Sequence, residues 1–359
     1  MRAANLRSAA AGVLILTGLA GCDNVDWGGA DLAVVPPPPR PTVAPTADDG
    51  PGAELLPDGA ILYYVARTSA GGRMVPVGEV AGDSLAPLRA ARDPIQYAER
   101  LVAERMRQGE EFALFRNGVR SGTLVIQSAE VPPAAACAPS PVAVGSLELG
   151  ENARDATEFL ALSKEDAPQV PRRIGDALEA TRTMSFVAPI LAERMLRARG
   201  ATLPGNWQRA MAQVKPFPVA GSPSAGFAAT FLVSDTLGPG LDNEGWALIF
   251  LAVPSTAQVG WDTVHVQFQD YASGGKAAPR VVDILDWDRD EQVELLLQVY
   301  GVDDSWFEAI GRSDDGTWRR VYRDRCERAA APAATDEPAR IPTPAPDTTA
   351  ADTTAAPIH

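Results

Sequence analysis

The chain is 359 residues long and carries a formal net charge of −14. Nucleic-acid binding needs a basic face, so this acidic balance predicts that nucleic acid is not a partner. The chain contains two histidines, which excludes a zinc site built on several of them and leaves His265 as the one histidine outside the C-terminal tail for a Ser-His or Cys-His site.

Residues 1–22 have the features of a secretory signal. Arg2 and Arg7 precede an apolar run from Ala9 to Leu19, which is too short to span a bilayer as a helix. The closing Leu-Ala-Gly-Cys22 resembles the lipobox of bacterial lipoproteins. That resemblance implies cleavage before Cys22, lipidation of its thiol, and a protein anchored by lipid in the bacterial cell envelope, at either the inner or the outer membrane. The alternative is an ordinary secretory signal that happens to end in a cysteine.

Both ends of the remaining chain have compositions that do not support a packed core. Residues 23–51 include the run Pro36-Pro-Pro-Pro39, which favours extended polyproline II, and we expect this segment to be a tether. Residues 329–359 consist mostly of alanine, proline, threonine and aspartate. With so few large apolar side chains, this tail is expected to be disordered.

Two modules are predicted between these ends, at 52–175 and 176–328. The first holds an amphipathic helix that begins at Asp93-Pro94 and ends before Gly109, followed by a hairpin whose turn is Asn117-Gly118. A second helical region is predicted from 176 to 199, divided at Pro189. Strands are predicted at 111–116, 121–128, 142–149, 159–163, 227–235, 245–253, 263–268, 281–285, 294–300, 305–311 and 317–322.

Consecutive strands with hairpin-length links predict an antiparallel sheet or meander. With two helical regions packed on or beside the sheet, the expected fold class is α+β.

An acidic loop interrupts the last strands of the second module, and its sequence is Asp286-Trp-Asp-Arg-Asp-Glu-Gln-Val-Glu294. Alternate carboxylates of such a loop can converge on a hard cation, which takes six to eight oxygen ligands. The loop resembles the calcium-binding turns of FG-GAP and VCBS-type repeats, with Asp286, Asp288, Asp290 and Glu294 at the ligand positions. The resemblance implies calcium as a candidate cofactor. Arg289 and Glu291 stand where that pattern has glycines, and an acidic turn with solvated carboxylates is the alternative.

Two cysteines remain if Cys22 carries lipid. Export places the folded part in an oxidising compartment, so Cys137 and Cys326 are predicted to form a disulfide. The alternative is two separate buried thiols.

Three functional hypotheses follow from these features. The first is a non-enzymatic binding or scaffolding module, held at the membrane by its lipid anchor. The second is a carboxylate-based hydrolase of envelope polysaccharide or peptidoglycan, which requires a cleft with two close carboxyl groups. The third is a structural part of a larger envelope assembly, which would expose a large apolar patch.

Overall fold

The structure is a computed structural model that describes residues 56–88, 94–133, 140–168, 177–201, 203–240, 245–257, 259–313 and 315–324. These residues belong to one compact unit. The predicted signal, tether and tail lie outside the described residues, as do Cys22, Cys137 and Cys326. None of the helices in the described ranges is long and apolar enough to cross a membrane.

The first sheet closes on itself. Its strands run in the order β1-β7-β4-β5-β6-β2, β2 pairs back with β1, and β3 adds to the outer edge of β2. All the pairings are antiparallel. The strands are β1 (Ile61–Thr68), β2 (Gly71–Ala81), β3 (Ser84–Ala86), β4 (Glu111–Arg116), β5 (Val119–Glu130), β6 (Val142–Leu149) and β7 (Glu158–Ser163).

Side chains of this barrel are buried on both of its faces. Tyr63 and Phe112 meet edge to face, at 5.1 Å between ring centroids, in the cluster to which helix α1 (Pro94–Arg105) contributes Leu101. The neighbouring residues point the other way and join a second cluster that includes Phe115 and Leu160. Strands covered on both sides become nearly continuous apolar runs, as in Phe-Ala-Leu-Phe of β4.

Two four-stranded antiparallel sheets follow in the chain. The second sheet has the order β11-β10-β9-β8 and the third has the order β12-β13-β14-β15. The strands are β8 (Met211–Phe217), β9 (Gly226–Val233), β10 (Trp246–Pro254), β11 (Trp261–Asp270), β12 (Ala278–Leu285), β13 (Glu294–Tyr300), β14 (Ser305–Arg312) and β15 (Trp318–Arg323).

The third sheet lies in the middle of the stack. One of its faces packs on the outer face of the barrel, where Val282 and Leu296 join Leu160 in one apolar cluster. Its other face packs on the second sheet, where Leu295 and Phe217 share a cluster. Helix α2 (Ala177–Ala198) covers the far side of the second sheet, and the four-residue helix α3 (Tyr271–Gly274) follows β11.

The predicted α+β class is wrong, because the described residues form fifteen strands and three α-helices and the architecture is predominantly β. The two longer helices lie where they were predicted, but each covers part of a sheet instead of forming a layer of its own. The predicted division at Pro189 is wrong, because α2 continues through that residue as a single helix. Strands β1, β2, β3 and β8 were not predicted. Since β1 and β2 close the barrel, missing them hid the closure of the first sheet.

Candidate metal-binding loop

The acidic loop, residues 286–294, connects β12 to β13. Leu285 and Glu294 face each other in the last pair of the hairpin ladder. Trp287 and Val293 are buried, at 2% and 7% exposure, and each belongs to an apolar cluster. These two side chains fix the loop to the body of the protein, so its carboxylates are held in place by packing on both sides.

Backbone amides of the loop bind one oxygen of each converging carboxylate. The N–H of Glu291 donates to Oδ2 of Asp286 over 3.1 Å, and the N–H of Trp287 donates to Oε2 of Glu294 over 3.2 Å. Oδ1 of Asp288 likewise accepts from a main-chain amide two residues ahead, over 3.2 Å. Such bonds orient each carboxylate and leave its second oxygen for another partner.

The backbone at Arg289 and Glu291 adopts the left-handed region, with φ of 70° and 72°. These are the two positions at which the calcium-turn pattern has glycine. The chain therefore adopts the positive φ angles that glycine favours with side chains in place, at a cost of roughly 1–2 kcal/mol per residue. The guanidinium of Arg289 donates to the main-chain oxygen of Asp166 near the end of β7, which ties the tip of the loop to the barrel.

Three of the four predicted ligands come together. One carboxylate oxygen from each of Asp286, Asp288 and Glu294 lies within 4.8 Å of the other two, so this group could hold a metal ion. Two oxygens bound to one calcium ion at about 2.3–2.6 Å can be separated by up to roughly 5 Å, so the spacing suits a shared cation. Asp290 lies outside the group, because its carboxylate is exposed and accepts from both the main-chain and the side-chain nitrogens of Gln292.

One buried carboxylate oxygen of the group has no hydrogen-bond donor among the described residues. Oδ1 of Asp286 is enclosed by protein and accepts no hydrogen bond from the described residues. Glu294 is 1% exposed, and no lysine or arginine in the described ranges forms an ion pair with it. An orphaned buried acceptor beside a buried carboxylate fits an oxygen-seeking cation.

Burial and mutual repulsion raise the pKa values of all three carboxyl groups. Burial raises the pKa of Glu294 to about 10, with repulsion from the Asp288 carboxylate adding to the effect. Burial likewise raises the pKa of Asp288 to about 6, and that of Asp286 also lies above its ordinary value. Glu294 therefore retains its proton at neutral pH unless a positive charge enters the group, and a bound cation would displace that proton.

Asp283 lies in the same hairpin but serves a different purpose. Its carboxylate is fully buried and accepts from the ammonium of Lys215 on β8 over 2.7 Å. It also accepts from the main-chain N–H of Asn117 in the β4–β5 turn, at 2.9 and 3.0 Å for its two oxygens. No sequence pattern indicates this junction, because its three members come from three separate sheets.

His265 is also buried, at 8% exposure. Its Nδ1 lies 3.4 Å from the main-chain oxygen of Trp318, between the second and third sheets. That position gives the ring a packing role between the two sheets.

Comparisons of the chain with protein-family models, with curated proteins and with solved structures found no match. The candidate site is therefore defined by the geometry of the acidic loop itself.

Proposed function

We propose that this protein is a lipid-anchored lipoprotein of the bacterial envelope whose folded part is a non-enzymatic binding or scaffolding module stabilised by a calcium ion in the acidic loop. The anchoring part rests on the lipobox-like residues 19–22 and the predicted export signal. The calcium part rests on one observation, the convergence of Asp286, Asp288 and the buried Glu294 within 4.8 Å.

Calcium fits this loop better than a softer metal. All the converging ligand atoms are carboxylate oxygens, which suit hard cations such as calcium, magnesium or manganese. The loop backbone resembles the calcium turns in its positive φ angles at 289 and 291. Calcium also tolerates the irregular geometry of a short loop better than magnesium, which demands a near-ideal octahedron.

In this proposal the ion has a structural role. It would neutralise three carboxyl groups at the edge of the middle sheet, next to Trp287, which packs against the barrel. Binding to the folded state alone stabilises that state by mass action, by about 2.7 kcal/mol when the free ion is at 100 times its Kd. The barrel, the third sheet and the loop would then be held as one rigid surface for a partner.

Thermal unfolding with and without calcium tests the ion. Excess calcium should raise the melting temperature of the wild-type protein after chelator treatment, and should leave Asp288→Ala unchanged. Asp290→Asn is the matched control, because Asp290 lies in the same loop but outside the converging group, and the melting temperature of this variant should still rise with calcium. An equal response of wild type and Asp288→Ala, or no response of either, would exclude the calcium site.

Fractionation of expressing cells tests the anchor separately. The thiol of Cys22 is the group that accepts the lipid in this proposal, so Cys22→Ala should move the protein from the membrane to the soluble fraction. Retention of the variant in membranes after a carbonate wash would contradict the anchoring role of Cys22.

A carboxylate-based hydrolase is the competing hypothesis, since raised pKa values also occur in catalytic carboxyl pairs. Two clefts are described on the folded unit, one beside Trp306 and Glu308 and one beside Asp83 and Asp315. The acidic loop lines neither of them, and Glu294 is closed off from solvent. A polysaccharide bound in either of these clefts would therefore not contact the converging carboxylates. The positions of these carboxylates favour a bound ion over a catalytic role.

A further inference from the structure

Helix α2 carries a row of four exposed residues at intervals of four, namely Arg182, Phe186, Ile190 and Arg194. We call this row the α2 ridge. Phe186 and Ile190 are 72% and 64% exposed, although both are large apolar side chains. Residues four apart lie one above the other on a helix, so the apolar pair stands in the middle with a guanidinium at each end.

The ridge is not needed to attach the helix to the protein. The opposite face of α2 packs on the second sheet through residues at most 9% exposed, which are Met184, Ala188, Leu191, Ala192, Met195 and Leu196. That face already accounts for the amphipathic pattern of the helix. Phe186 and Ile190 therefore form a second apolar strip that faces away from the core.

The surroundings of the ridge are basic in an acidic chain. From the start of α2 to residue 211 the chain contains five arginines and two acidic residues, Glu179 and Glu193, for a net charge of +3 within a chain of net charge −14. Glu193 is bonded to Arg197 over 2.6 Å, and the three arginines at 182, 194 and 209 are exposed. Two of the exposed arginines, at 182 and 194, thus lie on the same helix as the apolar pair, one beyond each end of the pair.

We propose that the α2 ridge is a docking surface for an anionic phospholipid bilayer. An interfacial helix inserts apolar side chains at the boundary between headgroups and acyl chains, and its arginines extend toward the anionic headgroups. The order Arg-Phe-Ile-Arg along one ridge supplies both features in register. Charge complementarity favours a lipid surface, because each arginine near an anionic membrane adds to the attraction.

This inference depends on the proposed function for one step, since the lipid anchor would deliver the folded unit to the membrane. Docking would then fix the orientation of that unit, with α2 against the lipid and the acidic loop on a different layer of the stack. The affinity of the ridge for lipid does not itself require lipidation, so the two proposals can fail independently.

Vesicle flotation with the full chain carrying Cys22→Ala tests the ridge without the anchor. The parent should float with vesicles of phosphatidylglycerol and phosphatidylcholine, and its binding should fall as salt is raised. Phe186→Ser combined with Ile190→Ser should lower the partition coefficient by about tenfold or more, because the inserting side chains are lost. Arg182→Glu combined with Arg194→Glu should weaken the preference for anionic over pure phosphatidylcholine vesicles.

Matched controls separate the ridge from general surface effects. Ile95→Ser combined with Val259→Ser removes two other exposed apolar side chains, which are 55% and 106% exposed, and should bind like the parent. Arg154→Glu combined with Arg319→Glu reverses two other exposed charges and should also bind like the parent. Circular dichroism melting of every variant shows whether the fold is kept.

The signal segment is present in all these proteins and therefore contributes equally to their binding. Equal flotation of the parent and the ridge variants, or no flotation of the parent, would overturn the proposal. So would a dimer of the parent that the ridge variants lose without any change in vesicle binding, because the ridge would then be an interface between two copies of the chain. These outcomes do not depend on whether Cys22→Ala moves the protein from the membrane to the soluble fraction of cells.

Discussion

The ammonium nitrogen of Lys215 lies 2.7 Å from Oδ1 of Asp283, and this buried ion pair joins the second sheet to the third. The main-chain N–H of Asn117 brings the barrel to the same carboxylate. Burial lowers the pKa of Lys215, and the Asp283 carboxylate opposes that effect. One carboxylate thus holds together groups from all three sheets.

Lys215→Met should destabilise the protein by about 3 kcal/mol. Removing one partner of a buried pair leaves an uncompensated charge, which typically costs about 3–5 kcal/mol, and the main-chain amides that still bind Asp283 favour the lower end. Urea unfolding measures the change. Lys164→Met is the control, since Lys164 pairs with Glu111 at the surface and its loss should alter stability little. A Lys215→Met variant as stable as the control would contradict this role of the pair.

The metal-free protein should lose stability as the pH rises from about 5.5 to 7.5. The folded-state pKa of Glu294, about 10, lies above its ordinary value of 4.5, so the folded protein binds more protons than the unfolded chain over this range. The slope of the unfolding free energy with pH is then negative, at up to about 1.4 kcal/mol per pH unit for one proton. Asp288, with a pKa of about 6, contributes with the same sign at the acidic end of the range.

Urea unfolding in chelator at the two pH values checks this slope, and Glu294→Gln should remove most of it. Calcium should bind more tightly as the pH rises, because it requires the ionised carboxylates and displaces their protons. Titration calorimetry at both pH values would show the displaced protons as a dependence of the heat on the buffer. A slope that is identical in wild type and Glu294→Gln would refute the assignment to this residue.

Glycine at position 291 should be more stabilising than alanine. The φ of 72° at Glu291 is strained for any residue with a Cβ, by roughly 1–2 kcal/mol, whereas glycine adopts it freely. Part of that gain is offset by the greater freedom of glycine in the unfolded chain, about 0.4–1 kcal/mol. Both Glu291→Gly and Glu291→Ala lose the carboxylate, so a comparison of the two variants isolates the effect of the backbone angle. Denaturant unfolding should give the glycine variant a free energy of unfolding about 0.5–1 kcal/mol higher than that of the alanine variant. A more stable alanine variant would mean that the loop does not hold this angle.

If the chain is exported as proposed, Cys137 and Cys326 should be joined in protein purified without reductant. Closing a loop of about 190 residues in the unfolded chain would stabilise the fold by roughly 5 kcal/mol in the chain-entropy model, less any native strain. Peptide mapping without reduction identifies the linked pair, and reduction should lower the melting temperature of the wild type but not of Cys137→Ser. Free thiols at both positions would refute the pairing.

Local pattern predicted the elements whose signal is carried by neighbouring residues. The helix beginning at Pro94, the Asn117-Gly118 turn and strand β13 all lie where the sequence indicated them. Helix caps, primed turns and alternation act over a few residues, so a single stretch of chain contains the whole signal. Strand β1 was missed although its apolar run, Ile61 to Val65, is buried at every position, as is that of the correctly predicted strand β10. A short apolar run without alternation does not by itself distinguish a strand from other buried segments.

The candidate site was likewise predictable from the sequence in part and decided by the structure in part. The spacing of Asp286, Asp288 and Glu294 indicates a cation loop, because a loop between two predicted strands that pair as a hairpin brings its side chains close together. The exclusion of Asp290 from the group could not be predicted from that spacing, since its carboxylate binds the backbone and side chain of Gln292. Competition between local hydrogen bonds and a shared ligand set is decided by the actual path of the loop.

By itself, the sequence determined the acidic character of the chain, the helical and hairpin segments, and the position of the acidic loop. Tertiary structure decided three further features: the closure of the first sheet, the central place of the third sheet, and the contact between Lys215 and Asp283. Each of them joins residues far apart in the chain, as Tyr63 pairs with Ala161 in the β1–β7 ladder. Tertiary structure also decided that Phe186 and Ile190 are exposed. An apolar residue on a helix gives the same sequence signal whether it meets a sheet or solvent, and the packing of α2 on the second sheet is what turns these two side chains outward.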